Sequence, residues 1–349
     1  MPINFDLLKK LCETPGISSR EDQVRDLVIE ELRPLTDEIS VDTLGNVIAI
    51  KKGNGGPRVM LAAHMDEIGF LVKFVDDKGF LRLQPVGGWD PRTMVAQRVH
   101  VHGYAGQTLL GTLMPAAKPI HLLNADDIGK PPKIDEFFVD LGLPGTEVKA
   151  LVEIGDMVTM ARTTEQIGNN IVSKSLDDRL SVFVMIEALR AIGPHEAEII
   201  AVATTQEEVG LRGATTAAYA LEPQIGIALD VTLANDFPGT SEQDQVTRLG
   251  EGAALKIMDS STLSHPKLLR HFRDLAEKHG IKHQLEILSR GGTDAGGIQR
   301  SRAGVPTFTL SLPTRYIHTV NEMASVADIE AATALLARYL EDAHNGKYD

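Results

Sequence analysis

A chain of 349 residues has length for about two domains and a well-buried core. Its formal net charge of −13 argues against nucleic acid or an anionic membrane as the main partner. Cys12 is the only cysteine, which excludes an intrachain disulfide and fits a reducing compartment.

The start, Met1-Pro2-Ile3-Asn4-Phe5-Asp6, lacks a basic stretch followed by an apolar one, so no secretory signal is expected. No uncharged apolar run approaches the roughly 18 residues of a membrane helix, and the expectation is a soluble, cytoplasmic protein. Cys12 falls beside Leu8 and Leu11 on a first amphipathic helix and reads as core rather than nucleophile. Ser18 and Glu21 have capping-box spacing, followed by apolar positions Val24, Leu27, Val28, Leu32 and Leu35. Residues 39–41 and 47–50 flank Leu44-Gly45-Asn46, a hairpin signature. Residues 59–63 form a continuous apolar strand that ends at His64.

From about Gly69 to Arg162 the texture changes to short alternating segments split by Asp77-Lys78-Gly79, Gly87-Gly88 and Gly103. Helical periodicity is missing through most of this stretch, which predicts a β-rich module, a small barrel, over 70–160. Inside it, His100 and His102 share a strand face without a third ligand nearby and read as a solvated face. Trp89 reads as a turn anchor or a subunit contact. Helices then alternate with buried strands: an apolar helix over 180–192, strands at 199–205, 225–229 and 253–258, an amphipathic helix over 265–279 stopped by Gly280, a strand at 305–312 and a closing helix over 326–343. Alternation of this kind predicts an α/β sandwich, residues 1–69 and 161–349, interrupted by the β insert.

Chemistry-bearing residues recur at the ends of these strands. The stretch Thr204-Thr205-Gln206-Glu207-Glu208-Val209-Gly210-Leu211-Arg212-Gly213 sets two carboxylates where a strand runs into a turn. Neighbours on an extended chain face opposite sides, so one glutamate can bind a cation while the other reaches a water on it. His64 and Asp66 point to one side of an extended segment, which suits a metal-bound imidazole held by a carboxylate. Asp177-Asp178-Arg179 opens the apolar helix with more acid than capping requires. Asp230 ends the strand at 225–229, and His318 follows the strand that ends near Leu312. Carboxyl ends of strands are where α/β sheets place ligand sites. His64, Asp177, Glu208, Asp230 and His318 supply two imidazoles and three carboxylates, the composition of a two-metal hydrolytic site for Zn²⁺, Co²⁺ or Mn²⁺.

Ala63-His64-Met65-Asp66-Glu67-Ile68-Gly69, Leu176-Asp177-Asp178-Arg179, Gln206-Glu207-Glu208-Val209-Gly210-Leu211-Arg212-Gly213, Ala228-Leu229-Asp230, Gly291-Gly292-Thr293-Asp294-Ala295-Gly296 and Arg315-Tyr316-Ile317-His318 together resemble the glutamyl and tetrahedral aminopeptidases. The resemblance runs from about residue 5 to 343. It implies a dizinc-exopeptidase type of catalytic domain whose insert at 70–160 is a PDZ-like dimerisation domain. It gives one metal His64, Asp177 and Asp230, and the other Asp177, Glu208 and His318, with Asp177 as the bridge. Glu207 matches the general base and Asp66 the residue that orients His64. Asp178 stands where many relatives carry Asn, which leaves ligation by Asp177 intact. A dimetal-bound hydroxide, made with the help of Glu207, would then attack the first peptide bond of a substrate with a free N-terminus. Six dimers would close into a hollow tetrahedral dodecamer. The glycine-dense run 291–297 lacks the lysine and spacing of a phosphate loop. By resemblance it lines the substrate cleft, with Gly292, Thr293, Asp294 and Arg315 as contacts. Lys256, on a strand, is a candidate for a side-chain pocket that favours acidic residues.

Other classes fit less well. A deacylase or carboxypeptidase built on the same ligands needs a cationic clamp, and no such motif stands out. A glycosidase needs carboxyls roughly 5–9.5 Å apart that face one another, which adjacent residues at a strand end do not provide. A self-assembling, peptide-binding shell without turnover would be favoured by a missing ligand, and none is missing.

Overall fold

The computed structural model describes residues 3–116, His121 and 131–348; part of the expected insert, 117–120 and 122–130, lies outside them. In chain order, α1 (Phe5–Glu13) and α2 (Asp22–Leu32) precede β1 (Glu38–Val41), β2 (Val47–Lys51) and β3 (Arg58–His64). Then come β4 (Gly69–Val75), β5 (Leu81–Val86), β6 (Gln97–His102), β7 (Thr108–Pro115), β8 (Phe137–Asp140), α3 (Gly145–Leu151) and β9 (Met157–Met160). The next stretch holds β10 (Glu165–Ile167), β11 (Asn170–Ser173), α4 (Leu176–Ala191), β12 (Glu198–Thr204), α5 (Arg212–Leu221) and β13 (Ile225–Leu233). The last holds β14 (Ala253–Met258), α6 (Pro266–His279), β15 (His283–Ile287), α7 (Asp294–Gln299), β16 (Thr307–Arg315), β17 (Glu322–Ser325) and α8 (Val326–Asp342).

Two compact units result. One contains residues up to Glu67, Thr164–Ile317 and everything from Asn321 onward; the other is Ile68–Thr163 with His318–Val320. The first is built on an eleven-stranded sheet of order β1-β2-β12-β3-β13-β16-β17-β11-β10, with β14 beside β16 and β15 beside β14. β12, β3, β13 and β16 run parallel and are buried on both faces, as their near-continuous apolar sequences require. Period-two geometry sorts their side chains. Val59, Leu61 and Ala63 pack into one core with α1, α2, α4, α6 and α8, while Met60, Ala62, Ile200 and Val202 pack against Ala214, Ala217 and Ala218 of α5 and Ile298 of α7. This is the expected α/β sandwich.

The second unit is a closed antiparallel barrel of order β4-β5-β8-β7-β6-β9, filled by Phe70, Val72, Leu81, Val99, Val101, Leu113, Phe137, Val139 and Val158. Val320 joins that core. Gly111 is needed there, since a Cβ would come 2.5 Å from Cγ1 of Val139. Trp89 stacks on Phe70 at 4.7 Å and donates to the Gly69 carbonyl at 3.1 Å, an internal anchor. His102 bonds the hydroxyls of Thr159 and Thr108, and the metal-capable groups among the described residues include neither it nor His100.

Two local expectations change. α2 starts at Asp22 with no side-chain cap. Ser18 Oγ donates instead to Asp66 Oδ2 at 2.5 Å, and Glu21 accepts from main-chain nitrogens of Ser19 and Gln206, so tertiary partners outcompete the capping box. The strand expected to stop at Leu229 continues to Leu233, since pairing with β16 carries on through Leu233↔Thr314; Asp230 therefore lies inside β13.

Candidate metal centre

Parallel strands bring their carboxyl ends to one edge of the sheet, and the sheet opens there. β3 and β12 stay in register to His64↔Thr204, but β3 and β13 pair only as far as Ala62↔Ala228. Past that point the strands part, with His64 on one side of the gap and Asp230 on the other. The start of α4 fills it: Asp177 and Asp178 have non-helical dihedral angles, and regular helix begins after them. Arg179, fully buried, holds this start in place by donating to the main-chain carbonyls of Met65, Leu11, Thr14 and Gly16.

His64, Asp177, Asp178 and Asp230 are all buried, each with a ligand atom within 4.8 Å of the others; the carboxylates of Asp177 and Glu208 also come within 4.8 Å. His64 Nε2 stands 3.1 Å from Asp177 Oδ1 and 3.8 Å from Glu207 Oε2. Its Nδ1 lies 2.9 Å from the Asp66 carbonyl. A carbonyl only accepts, so Nδ1 carries the hydrogen and Nε2 turns its lone pair on the carboxylates. That arrangement is repulsive until a proton or a cation enters it. The Oδ2 of Asp178 accepts the His64 main-chain N–H at 3.2 Å, and its Oδ1 is buried with no partner.

The role expected of Asp66 is divided. Its carbonyl, not its carboxylate, orients the imidazole; the carboxylate is 3.6 Å from Nδ1. The carboxylate takes the main-chain N–H of Glu207 at Oδ1 (3.0 Å) and of Glu208 at Oδ2 (3.2 Å).

The electrostatics describe a site short of positive charge. Burial first, then repulsion from Asp230 and Asp177, pushes Asp178 well above the usual carboxylate range. Burial and its acidic neighbours do the same to Asp230 and Glu207. Asp294 rises to about 6, again chiefly through burial. Burial opposes protonation of His64, but Glu207, Asp177 and Asp66 outweigh it and raise its pKa well above the ordinary value. Asp66 moves the other way: burial works against it, yet His64 and the donors Ser18 and Glu207 hold it below its usual value. Buried carboxylates around one imidazole, with an unpartnered Asp178 oxygen, fit a divalent cation by charge and donor type.

The remaining candidates separate. His318 follows β16 in a left-handed conformation (φ 62°), and its ring lies against Gly88, where a Cβ would be 3.3 Å from Nδ1. Lys256 corrects the pocket expectation: it is fully buried and its ammonium is paired with Glu286, which also accepts from Thr232, so no open face remains for a substrate. Arg315 is likewise engaged, with Nε and Nη2 each 2.7 Å from the carboxylate of Asp236. Thr293 and Asp294 are buried, and Asp294 accepts from Thr204 and keeps a second oxygen unpartnered. Gly292 alone of these five is exposed. The place of Asp178 in the cluster and the supporting roles of Ser18, Glu21 and Asn46 were not read from the sequence. For Asp178 the signal was adjacency to Asp177; for the others nothing local distinguished them from caps and turns.

Comparison with known proteins agrees with this chemistry. The family model described as M42 glutamyl aminopeptidase matches residues 45–335. A lysyl aminopeptidase of Pyrococcus furiosus is 38% identical over 348 residues, covering 97% of each chain. The solved structure of an aminopeptidase from the archaeon Desulfurococcus kamchatkensis superposes with a TM-score of 0.93 at 39% identity, covering 97% of this chain and 94% of that one. The Pyrococcus horikoshii TET1 peptidase, which can assemble into a tetrahedron or a large octahedral shell, gives a TM-score of 0.85 at 32% identity, with 96% and 98% covered.

Proposed function

The chain belongs to the M42 glutamyl aminopeptidase family and is a metal-dependent aminopeptidase; from that premise we propose that it holds two divalent ions and uses Glu207 as general base. His64, Asp177 and Asp230 hold one ion. Asp177, Glu208 and His318 hold the other, with Asp177 shared. The observation that carries this reading is the buried meeting of His64 with Asp177 and Asp230 within 4.8 Å, its Nε2 lone pair 3.1 Å from the Asp177 carboxylate. Nitrogen and oxygen donors without thiolate suit Zn²⁺, Co²⁺ or Mn²⁺.

Bound ions of this type polarise the scissile carbonyl and lower the pKa of a water toward 7. The protein's own residues do the rest. Glu207, 3.8 Å from His64 Nε2, takes the proton of the attacking water and returns it to the leaving amine. Asp66 holds the main chain of both glutamates, and its carbonyl fixes the His64 ring. The substrates are peptides with a free N-terminus. The enzyme is cytoplasmic, which suits a lone, buried cysteine; among the described residues no helix is long and apolar enough to cross a membrane. The insert at 70–160 makes a two-fold dimer and six dimers close into a tetrahedral dodecamer, a reading supported by the shell-forming relative.

Elemental analysis and a panel of aminoacyl-anilides with N-acetylated controls test the reading. It expects about two ions per chain, loss of activity in EDTA, and turnover of free-amine substrates only. Full activity after complete metal removal, or preference for the acetylated set, overturns it. Light scattering should give a mass near twelve chains, or two for the dimer alone, and a stable, active monomer rules the assembly out.

A further inference from the structure

Four successive main-chain N–H groups of the loop that carries the two glutamates are each taken by a buried side chain from elsewhere. Thr205 donates to Asn46 Oδ1 (3.0 Å), Gln206 to Glu21 Oε1 (3.1 Å), Glu207 to Asp66 Oδ1 (3.0 Å) and Glu208 to Asp66 Oδ2 (3.2 Å). Glu21 Oε1 also accepts the Thr205 hydroxyl. Glu21 and Asn46 are 2% and 0% exposed, so the acceptor side chains are shielded from water. Gln206 sits in the left-handed region at φ 56°, a conformation a side-chain-bearing residue keeps only when its surroundings hold it. The far end of the loop is closed on the same anchor. Asn46 Nδ2 donates to the Gly213 carbonyl at 3.1 Å, and a Cβ on Gly213 would come 2.3 Å from Asn46 Oδ1.

We propose that Glu21, supported by Asn46, is a positioning residue for Glu207: it fixes the left-handed Gln206 peptide and with it the direction in which the Glu207 carboxylate leaves the chain. The Glu21 carboxylate takes its bonds from Ser19, Thr205 and Gln206, and it gives α2 no side-chain cap. The same Oε1 that accepts the Ser19 N–H therefore ties the loop to the start of α2. Shifts of about 1 Å in a catalytic group cost on the order of 10²-fold in rate, which is the scale on which a released Gln206 peptide acts.

The inference rests on Glu207 as the base, and a double-mutant cycle in the metal-loaded, full-length protein separates the two. Glu21→Ala should lower kcat about 10–100-fold, with KM within about threefold and two ions retained. Glu21→Gln keeps an oxygen acceptor and should recover most of kcat. In a Glu207→Gln background, adding Glu21→Ala should change the rate by less than about threefold, since the group being aimed is gone. Hydrogen exchange over residues 204–212 should quicken in Glu21→Ala without substrate. Where alanine prevents folding, Glu21→Asp withdraws the acceptor by one methylene and carries the same comparisons. Wild-type kcat in the Glu21 variant beside an inactive Glu207→Gln overturns the positioning role alone. Losses that multiply in the cycle, or that follow metal loss, overturn it as well. Full turnover by Glu207→Gln overturns the base assignment itself.

Discussion

His64 gives its Nδ1 hydrogen to the main-chain carbonyl of Asp66 at 2.9 Å, while the carboxylate of the same residue stands 3.6 Å away. Asp66→Asn therefore separates two roles that sequence reading merges. The amide offers one acceptor where two main-chain donors and the Ser18 hydroxyl now bind, so at least one half-buried N–H loses its partner. Turnover should fall about 10–100-fold, yet elemental analysis should still find at least one ion per chain. Protein emptied of both ions would mean that the carboxylate orients His64.

Glu207 and Glu208 are adjacent: Glu208 comes within 4.8 Å of Asp177, and Glu207 lies 3.8 Å from His64 Nε2. Glu207→Gln should leave metal content near normal and cut turnover about 10²–10⁴-fold. Glu208→Gln should lower metal content directly. The opposite pattern, read by elemental analysis beside steady-state rates, would exchange their roles.

Asp178 lies within the ligand cluster, but one oxygen already accepts the His64 main-chain N–H. Asp178→Asn keeps an acceptor for that bond, so the variant should bind two ions and retain turnover within about tenfold, below the full effect of an acid–base group. Loss of one ion would make Asp178 a ligand in its own right.

The pH dependence of the metal-free protein follows from the raised carboxyl groups. A carboxyl with a higher pKa folded than unfolded holds more protons when folded, so stability falls as pH rises through that interval. Asp294 gives this sign between its ordinary 3.8 and about 6. Asp178, Asp230 and Glu207 extend it upward. His64, raised above 6.5, adds stability below that value that is lost as pH climbs through its folded pKa. In EDTA the melting temperature should decline from pH 5 to 8, and a divalent cation should flatten the profile. A melting temperature of the chelated protein that rises over this range would contradict the site's charge balance.

Strand-end chemistry was legible because it rests on local patterns. Residues 59–64 are apolar up to His64, and the barrel announces itself by short alternating segments split by glycines. Lys256 was misread because a lysine in a strand looks the same whether solvent or Glu286 receives its ammonium. Ser18 and Glu21 were misread because capping-box spacing describes only neighbours within one turn, and their actual partners, Asp66 and the 205–206 peptide, are 48 and 185 residues away.

The sequence by itself determined the α/β sandwich, the inserted barrel and the apolar strand that ends at His64, since burial patterns and turn chemistry act over a few residues. The tertiary structure alone decided the Asp66 atom that orients His64, the place of Asp178 in the cluster and the anchors of the Glu207 loop. Those are questions of distances between residues far apart in the chain. They depend on where β3 and β13 part and on how the start of α4 enters the gap, and no local pattern encodes either.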